Sequence, residues 1–400
     1  MNLSLNKSID FFLLVCIAVL PFSNALINIF FAIFSILKIT EIIKNKTFKD
    51  FNVNKIIFIV FLLFLCINAS VQGSFNANIK FWKFIPILLL GTIFISNKSD
   101  KFLKKFRNIS LVSCILYVLF VIARIIIFYF TNHYLPFGNG NEVNQILIID
   151  RPYLGFLIAL NIIFAFNNVK NSIFKGVNYA IIFGLTLFLI IISARLSILT
   201  VVITSCIYFT FFNKISLKRK AIILACFITS IIALTLFNPQ FKERTKHYSY
   251  EEFTNYEPRF VIWQSVKNII NNTDYNQFIG YGNYNLIEEY LVINYEEQIV
   301  SNNSKREFYI DEKFNTHSQF LDYLLFGGSI GLILFIIYLV KLFTNSINDF
   351  VNISIVIAFI LFFLIENVFH RQLGIYVFIF YINTLKIYES KNNLINRILN

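Results

Sequence analysis

Apolar runs of about 15 to 25 residues recur along nearly the whole chain, and a run of that length with almost no charge is stable in one environment, the hydrocarbon of a bilayer. They fall at 8–22, 24–42, 56–73, 81–97, 109–130, 150–167, 176–193, 196–213, 219–237, 317–341, 349–366 and 372–388. Because roughly 20 residues of helix cross a hydrocarbon core of about 30 Å, the division predicts an all-α integral membrane protein with about 12 transmembrane helices. Of the 400 residues, 57% are hydrophobic and 14% charged, a balance that argues against a soluble domain of this size. Pro21 and Asn24 predict a tight hairpin between the first two runs, with one long kinked helix as the alternative. The opening Asn2–Lys7 and its apolar sequel resemble a secretory leader, but no small-residue cleavage site follows, so a retained first helix is expected.

A net charge of +13 would suggest nucleic acid as the partner of a soluble chain. Between membrane spans the same charge sets orientation instead, and no nucleic-acid partner is expected. With a cytoplasmic N-terminus, the segments on that side hold 21 of the 35 Lys and Arg residues. The short loops on the other side hold five: Lys80, Lys83, Arg151, Arg195 and Arg371. The asymmetry predicts that both termini are cytoplasmic. One segment breaks the pattern. Residues 238–316 carry 12 acidic and 8 basic side chains and form the one large outer loop, where long segments escape the charge rule. Within it, Arg259–Ile270 spaces Phe260, Trp263, Val266, Lys267 and Ile270 as on a helix, which predicts a short amphipathic helix at the membrane surface or across a cavity mouth. The organisation that follows is N-terminal transmembrane helices over 1–149, a second transmembrane region over 150–388 that includes the loop 238–316, and a cytoplasmic tail over 389–400.

Cys16, Cys66, Cys114, Cys206 and Cys226 all lie in apolar runs with no CxxC neighbour. They read as small buried hydrophobes, with no metal or disulfide framework expected. The polar residues at the outer boundary are more informative, because charge beside hydrocarbon is costly and is usually paired or functional. Arg195 stands where one run ends and the next begins. It is either an anchor reaching the headgroups or an anion ligand whose guanidinium grips phosphate oxygens bidentately. Arg259 opens the amphipathic helix after Pro258 and could equally be a solvated loop charge. His317, in Asn315-Thr316-His317-Ser318, marks the return of the loop to the membrane; it reads as an interfacial cap or as a neutral base. Gly327, Gly328 and Gly331 follow it and are expected to allow close helix packing. Arg124 lies inside the fifth run, and Asp322 is off the face of His317. Arg195, Arg259 and His317 come from separate segments yet meet the same boundary. Two cations and one base suit an anionic, membrane-tethered substrate such as a polyprenyl diphosphate, and with no paired carboxylates to suggest a metal the arginines would stabilise the leaving group. A transporter is the alternative of another class, and it would call for charged or broken helices and internal symmetry that the chain lacks apart from Arg124. A structural or sensory protein would leave the three residues individually replaceable.

Arg195-x3-Leu199 and His317-x10-Gly328 match, in order, two signatures of the O-antigen ligases. Between them, Pro258-Arg259-x3-Trp263 and Gly280-Tyr281-Gly282 resemble a family helix and the turn after it. Arg151-Pro152-Tyr153-Leu154-Gly155 resembles its opening segment, where a His often stands in place of Arg151, and Glu366-Asn367 through Arg371-Gln372-x-Gly374 its closing one. From about 150 to 375 the chain resembles the O-antigen ligase and polymerase family of bacterial membrane glycosyltransferases. That resemblance implies a multi-pass protein of the bacterial inner membrane and a metal-independent, inverting transfer of glycan without a cofactor. The donor would be a glycan on undecaprenyl diphosphate and the acceptor, at the periplasmic face, lipid A–core or another glycan. It further implies that Arg195 and Arg259 bind the diphosphate and that His317 positions or deprotonates the acceptor hydroxyl. Arg151, Lys83, Tyr153 and Trp263 are implied as substrate contacts. Membrane lipids are the remaining partners, and ligase is favoured over polymerase by the His-x10-Gly spacing.

Overall fold

A computed structural model of the chain describes residues 2–45, 52–95, 98–135, 140–171, 175–212, 258–299 and 303–385, with a few isolated positions between 216 and 232. The described residues are overwhelmingly helical and contain no strand. Helices α1 (Asn2–Val19) and α2 (Asn24–Asn45) form the expected hairpin, turned by Phe22 and Ser23 N–H groups that donate to the Val19 carbonyl. They are followed by α3 (Val53–Val71), the single turn α4 (Ile79–Trp82), α5 (Ile85–Phe94), α6 (Asp100–Asn132), the short α7 (Gly140–Leu147), α8 (Arg151–Asn171), α9 (Lys175–Ile191) and α10 (Arg195–Ile207), which runs on in wider π geometry to Phe212. The polar loop supplies α11 (Pro258–Ile270), α12 (Tyr284–Gln298) and α13 (Asn303–Glu312); α14 (Gln319–Ser346), α15 (Phe350–Ile365) and α16 (Gln372–Asn383) then return to the bundle.

Among the described residues, six helices are long and apolar enough to cross a membrane: Asn24–Asn45, Val53–Val71, Asp100–Asn132, Arg151–Val169, Arg195–Phe212 and Gln319–Ser346. Four more are apolar but shorter: Ile85–Phe94, Lys175–Ile191, Phe350–Ile365 and Gln372–Asn383. The run expected at 81–97 is thus not one helix. It breaks at Lys83–Phe84, and α5 starts afresh with Pro86 in its first turn, where a missing N–H costs nothing. Apart from those isolated positions, the run at 219–237 lies outside the described residues, as do loop residues 238–257 and the tail 389–400.

Most of α8 is buried, 83% of its apolar window, and α6, α9, α10 and α15 pack around it. At its middle, Ser110 of α6 donates to the Asn161 side chain at 2.8 Å and also meets the Tyr381 hydroxyl of α16, so the buried polar groups satisfy one another. The outward faces are apolar at helical spacing, with Ile29, Ile36 and Ile43 on α2 and Ile330, Ile333, Ile337 and Val340 on α14 exposed. A bundle with this covering has lipid as its solvent. Near one end Lys55 is buried and donates to the Ile95 carbonyl at 3.0 Å, closing the end of α5. Arg124 reaches from α6 to the Gln145 carbonyl of α7 at 3.2 Å, the snorkelling arrangement rather than a charge in the bundle interior.

The loop is bolted to the bundle through glycines. Helix α14 is interrupted at Gly328, whose backbone (φ 61°, ψ −160°) is not helical. Segment 277–282 fills the break: Tyr281 and Gly282 N–H donate to the Leu325 and Phe326 carbonyls, while Ser329 and Ile330 N–H donate to the Gln277 and Phe278 carbonyls, all at 2.8–3.1 Å. Asn68 of α3 donates to both the Ile279 and Phe326 carbonyls at 2.8 and 3.0 Å, and Asn78 to the Gly282 carbonyl at 2.9 Å. A Cβ on Gly280 would sit 2.4 Å from the Leu325 oxygen, and one on Gly328 2.3 Å from the Phe278 carbonyl carbon. Gly328 is therefore a site of helix interruption rather than of helix packing. Left-handed φ costs an L-residue about 1–2 kcal/mol before any collision is counted. Gly280→Ala and Gly328→Ala are each expected to lower the melting temperature of the detergent-solubilised protein sharply. Gly331→Ala, whose Cβ would meet the Phe64 ring edge at 3.2 Å, is expected to stay near wild type; thermal-shift size exclusion compares the three.

Candidate functional site

Where α9 meets α10, Ser193 takes left-handed φ (55°), its N–H donates to the Ile190 carbonyl and the Ala194 N–H to the Leu189 carbonyl. This paired closure ends α9 and starts α10 at once, with Arg195 as its first residue. Ala194 offers no capping side chain to the amides of the first turn, which leaves that helix end suited to an anion. Gly155 of α8 lets it approach, since a Cβ there would lie 2.6 Å from both the Ala194 Cβ and the Ser197 hydroxyl.

Helix α11 buries Ile262, Ser265, Val266 and Ile269 and turns Arg259, Phe260 and Trp263 toward the same space. The Trp263 indole N–H donates to the Thr316 carbonyl at 3.2 Å, tying α11 to the strap 314–318 that leads into α14. On that strap His317 has a left-handed backbone (φ 45°), an arrangement that costs energy in a non-glycine residue and tends to mark functional positions. Its N–H donates to the Asn315 side chain at 3.1 Å. Arg151, the first residue of α8, completes the wall, and Glu366, just past the end of α15, projects between Arg259 and His317. These residues line a cavity of about 660 Å³, within the range of small-molecule sites.

The charges in it are closely arranged. Arg259 Nη2 lies 3.3 Å from Glu366 Oε1, and His317 Nδ1 3.9 Å from Glu366 Oε2. Burial pushes the Glu366 carboxyl up to about 7 against the opposing pull of the Arg259 guanidinium. Burial, then the charges of Arg259 and Arg371, hold the His317 imidazole down to about 4, so it is neutral near pH 7. His317 Nδ1 is buried without a hydrogen-bond partner.

Five of the seven site residues expected from the sequence share this cavity: Arg195, Arg259, His317, Arg151 and Trp263. Two do not. Tyr153 is buried with its hydroxyl donating to the Asn367 carbonyl at 3.4 Å and its ring edge-on to Phe362, so it braces α8 against the 366–370 turn. Lys83 lines a separate cavity of about 300 Å³ on the other side of the strap, where its ammonium lies 4.9 Å from the Phe84 ring centroid. Phe314 and Thr316 of the strap also face that second cavity.

Sequence reasoning passed over Glu366 as a site residue, and it passed over the buried cluster behind the strap. There Asp322, 2% exposed, accepts from Tyr284 O–H at 2.9 Å, Asn367 Nδ2 at 3.0 Å and Gln319 Nε2 at 3.3 Å, and pairs with His370 Nε2 at 2.9 Å. Asp322 is thus not a partner of His317. It locks the strap, α12, α14 and the 366–370 turn together, and little in the local sequence signals this because three of its four partners, at 284, 367 and 370, are distant along the chain. Among the described residues no three His, Cys, Asp or Glu side chains converge as a metal-ligand set.

The two shifted groups act on stability in opposite senses. Between about pH 4.5 and 7 the folded chain holds a proton on Glu366 that the unfolded chain releases, so this group's contribution falls as pH rises. Between about pH 4 and 6.5 the unfolded chain protonates His317 and the folded chain does not, so that contribution rises with pH. Glu366→Gln is expected to show a melting temperature that climbs relative to wild type as pH goes from 5 to 7. His317→Asn is expected to show the reverse difference between pH 4.5 and 6.5, both read from thermal unfolding in detergent across buffers.

A search of curated proteins finds no match. Residues 180–336 match the family model described as O-antigen ligase, a stretch that begins in α9 and carries Arg195, Arg259 and His317 with the Gly280–Gly328 interlock. With its apolar helices and this segment, the chain is a multi-pass membrane protein that carries, over 180–336, a domain matching the O-antigen ligase family.

Proposed function

We propose that the chain is a membrane glycosyltransferase that moves a glycan from undecaprenyl diphosphate to an acceptor at the periplasmic face of the bacterial inner membrane, acting as an O-antigen ligase on lipid A–core. The observation that carries this reading is the single cavity in which Arg151, Arg195 and Arg259 meet His317 at the loop end of the bundle. A diphosphate needs several fixed cations to leave with its charge, and guanidinium groups supply both charge and bidentate geometry. In this mechanism Arg195 and Arg259 hold the diphosphate, with the first turn of α10 beside them. His317 meets the acceptor hydroxyl, which attacks the anomeric carbon from the face opposite the leaving group, so configuration inverts. No metal or cofactor is required by the reading, because the arginines carry the leaving group's charge. Arg151 and Trp263 contact the donor's sugar or phosphate, and the loop helices α11 to α13 cover the cavity and select the acceptor. Lys83 faces the second cavity and serves the acceptor side, while Tyr153 acts by bracing α8. Lipid reaches the site from the apolar girdle that surrounds the bundle.

In membranes, Arg195→Ala, Arg259→Ala and His317→Ala are each expected to insert at wild-type level yet reduce transferred glycan by at least about 100-fold, since an electrostatic group of this kind contributes on that scale. A lipopolysaccharide gel of a deletion strain complemented with each variant reads the outcome. Loss of the ladder supports ligase, a core bearing one repeat unit assigns the chain as polymerase instead, and normal ladders in the two arginine variants defeat the diphosphate clamp.

A further inference from the structure

His317 is the base that the resemblance implies, yet its geometry makes it a poor one. Its imidazole is half-buried near Arg259, its buried Nδ1 has no hydrogen-bond partner, and the nearest acidic atom is Glu366 Oε2 at 3.9 Å. Glu366 has the complementary arrangement. Arg259 engages one of its oxygens, Oε1, while the other faces His317 at the wall of the cavity that receives the substrates. Its backbone is extended and anchored, with the Glu366 N–H donating to the Phe362 carbonyl at 2.9 Å, so the carboxylate is presented from a rigid helix end.

On the reading of the cavity as a glycosyl-transfer site, we propose that Glu366 is the proton acceptor of the reaction and that His317 orients the acceptor hydroxyl toward it. The acceptor O–H gives its proton to Glu366 Oε2 as its oxygen forms the bond to the anomeric carbon. The bond from that carbon to the diphosphate oxygen breaks, and its electron pair leaves with undecaprenyl diphosphate, whose added negative charge is met by Arg195 and Arg259. Glu366 then returns the proton to solvent. The shared arginine links the two halves of the step. Diphosphate entering the cavity draws the Arg259 guanidinium from Glu366 Oε1, and a buried carboxylate that loses its cation becomes a stronger base. Base strength thus rises only when the donor is in place. A base serves best with a pKa near the working pH, which burial provides at Glu366, at about 7, and denies to His317, at about 4. The charged and titratable groups facing Glu366 are Arg259 from α11, His317 from the strap, Arg151 and Tyr153 from α8, Asp150 just before α8 and Arg371 just before α16.

The test is the pH–rate profile of transfer between pH 5.5 and 8.5. The purified chain is added to membranes of a deletion strain, which hold that strain's own lipid-linked glycan and acceptor. Wild type is expected to gain rate with pH along a limb centred at or above about 7. Glu366→Gln is expected to lose about 10²- to 10⁴-fold in rate and to lose the limb, while undecaprenyl diphosphate still raises its melting temperature. In Glu366→Ala, added formate is expected to restore at least tenfold of the lost rate. Glu366→Asp guards against a folding defect: a slower reaction that keeps the limb supports the proposal, and one without the limb overturns it. The proposal is also overturned if Glu366→Gln stays within about threefold of wild type, or if the limb survives there and vanishes in His317→Asn. Failure of the underlying glycosyl-transfer reading looks different: wild type forms no transferred glycan, or Arg195→Ala transfers as well as wild type.

Discussion

The interlock of Gly280 with Gly328 is the contact on which the rest of the site depends. A helix broken inside a membrane protein exposes carbonyl and N–H groups that lipid cannot satisfy, so a break survives only where other protein groups fill it. Here the backbone of 277–282 fills it strand-like, and Asn68 caps two of the carbonyls involved. Because both sides of the contact are backbone, the approach is closer than any side chain permits, and the loop is held to the bundle at a fixed height. Trp263, hydrogen-bonded to Thr316, and the Asp322 cluster extend that anchorage to α11 and the strap. The cavity is thereby assembled from a rigid bundle on one side and a rigidly mounted loop on the other.

The charges inside it are held by mutual compensation. Glu366 lies close enough to Arg259 to offset part of its positive charge and close enough to His317 to face its unpaired nitrogen. Leaving any one of these three without the others would strand a buried polar group, a cost of about 1–3 kcal/mol or more. Geometry and stability are coupled at this point, and Arg151 and Arg195 bring two further positive charges to the cavity wall.

The broad architecture was legible because hydrophobicity is a local signal: the runs, the hairpin at Pro21–Asn24 and the helix begun at Pro258 can all be read within a 20-residue window. The convergence of Arg195, Arg259 and His317 was legible too, since topology puts their segments at one boundary. What escaped reading depends on distant partners. Glu366 looks like a lone acid at a span end, and its partner Arg259 stands 107 residues away. Ser193 adopts the left-handed turn that glycine usually marks, so nothing in its identity announced the closure of α9. Gly328 was visible, but a glycine that packs and a glycine that breaks a helix share one letter, and only the matching turn at Gly280 separates them. Tyr153 sits in a recognisable segment beside Arg151, yet helical geometry sends the two side chains in different directions.

The order in which these contacts are made along the chain bears on biogenesis. Asn68 donates to a carbonyl 211 residues further on and to another 258 residues further on, and Glu366 is synthesised after every other wall of the cavity. During translation the polar face of α3 therefore waits, without its eventual partners, while most of the protein is still being made. Assembly of the site is a final event of insertion, and a chain released before its last two apolar helices would carry both arginines and the histidine with no cavity to put them in.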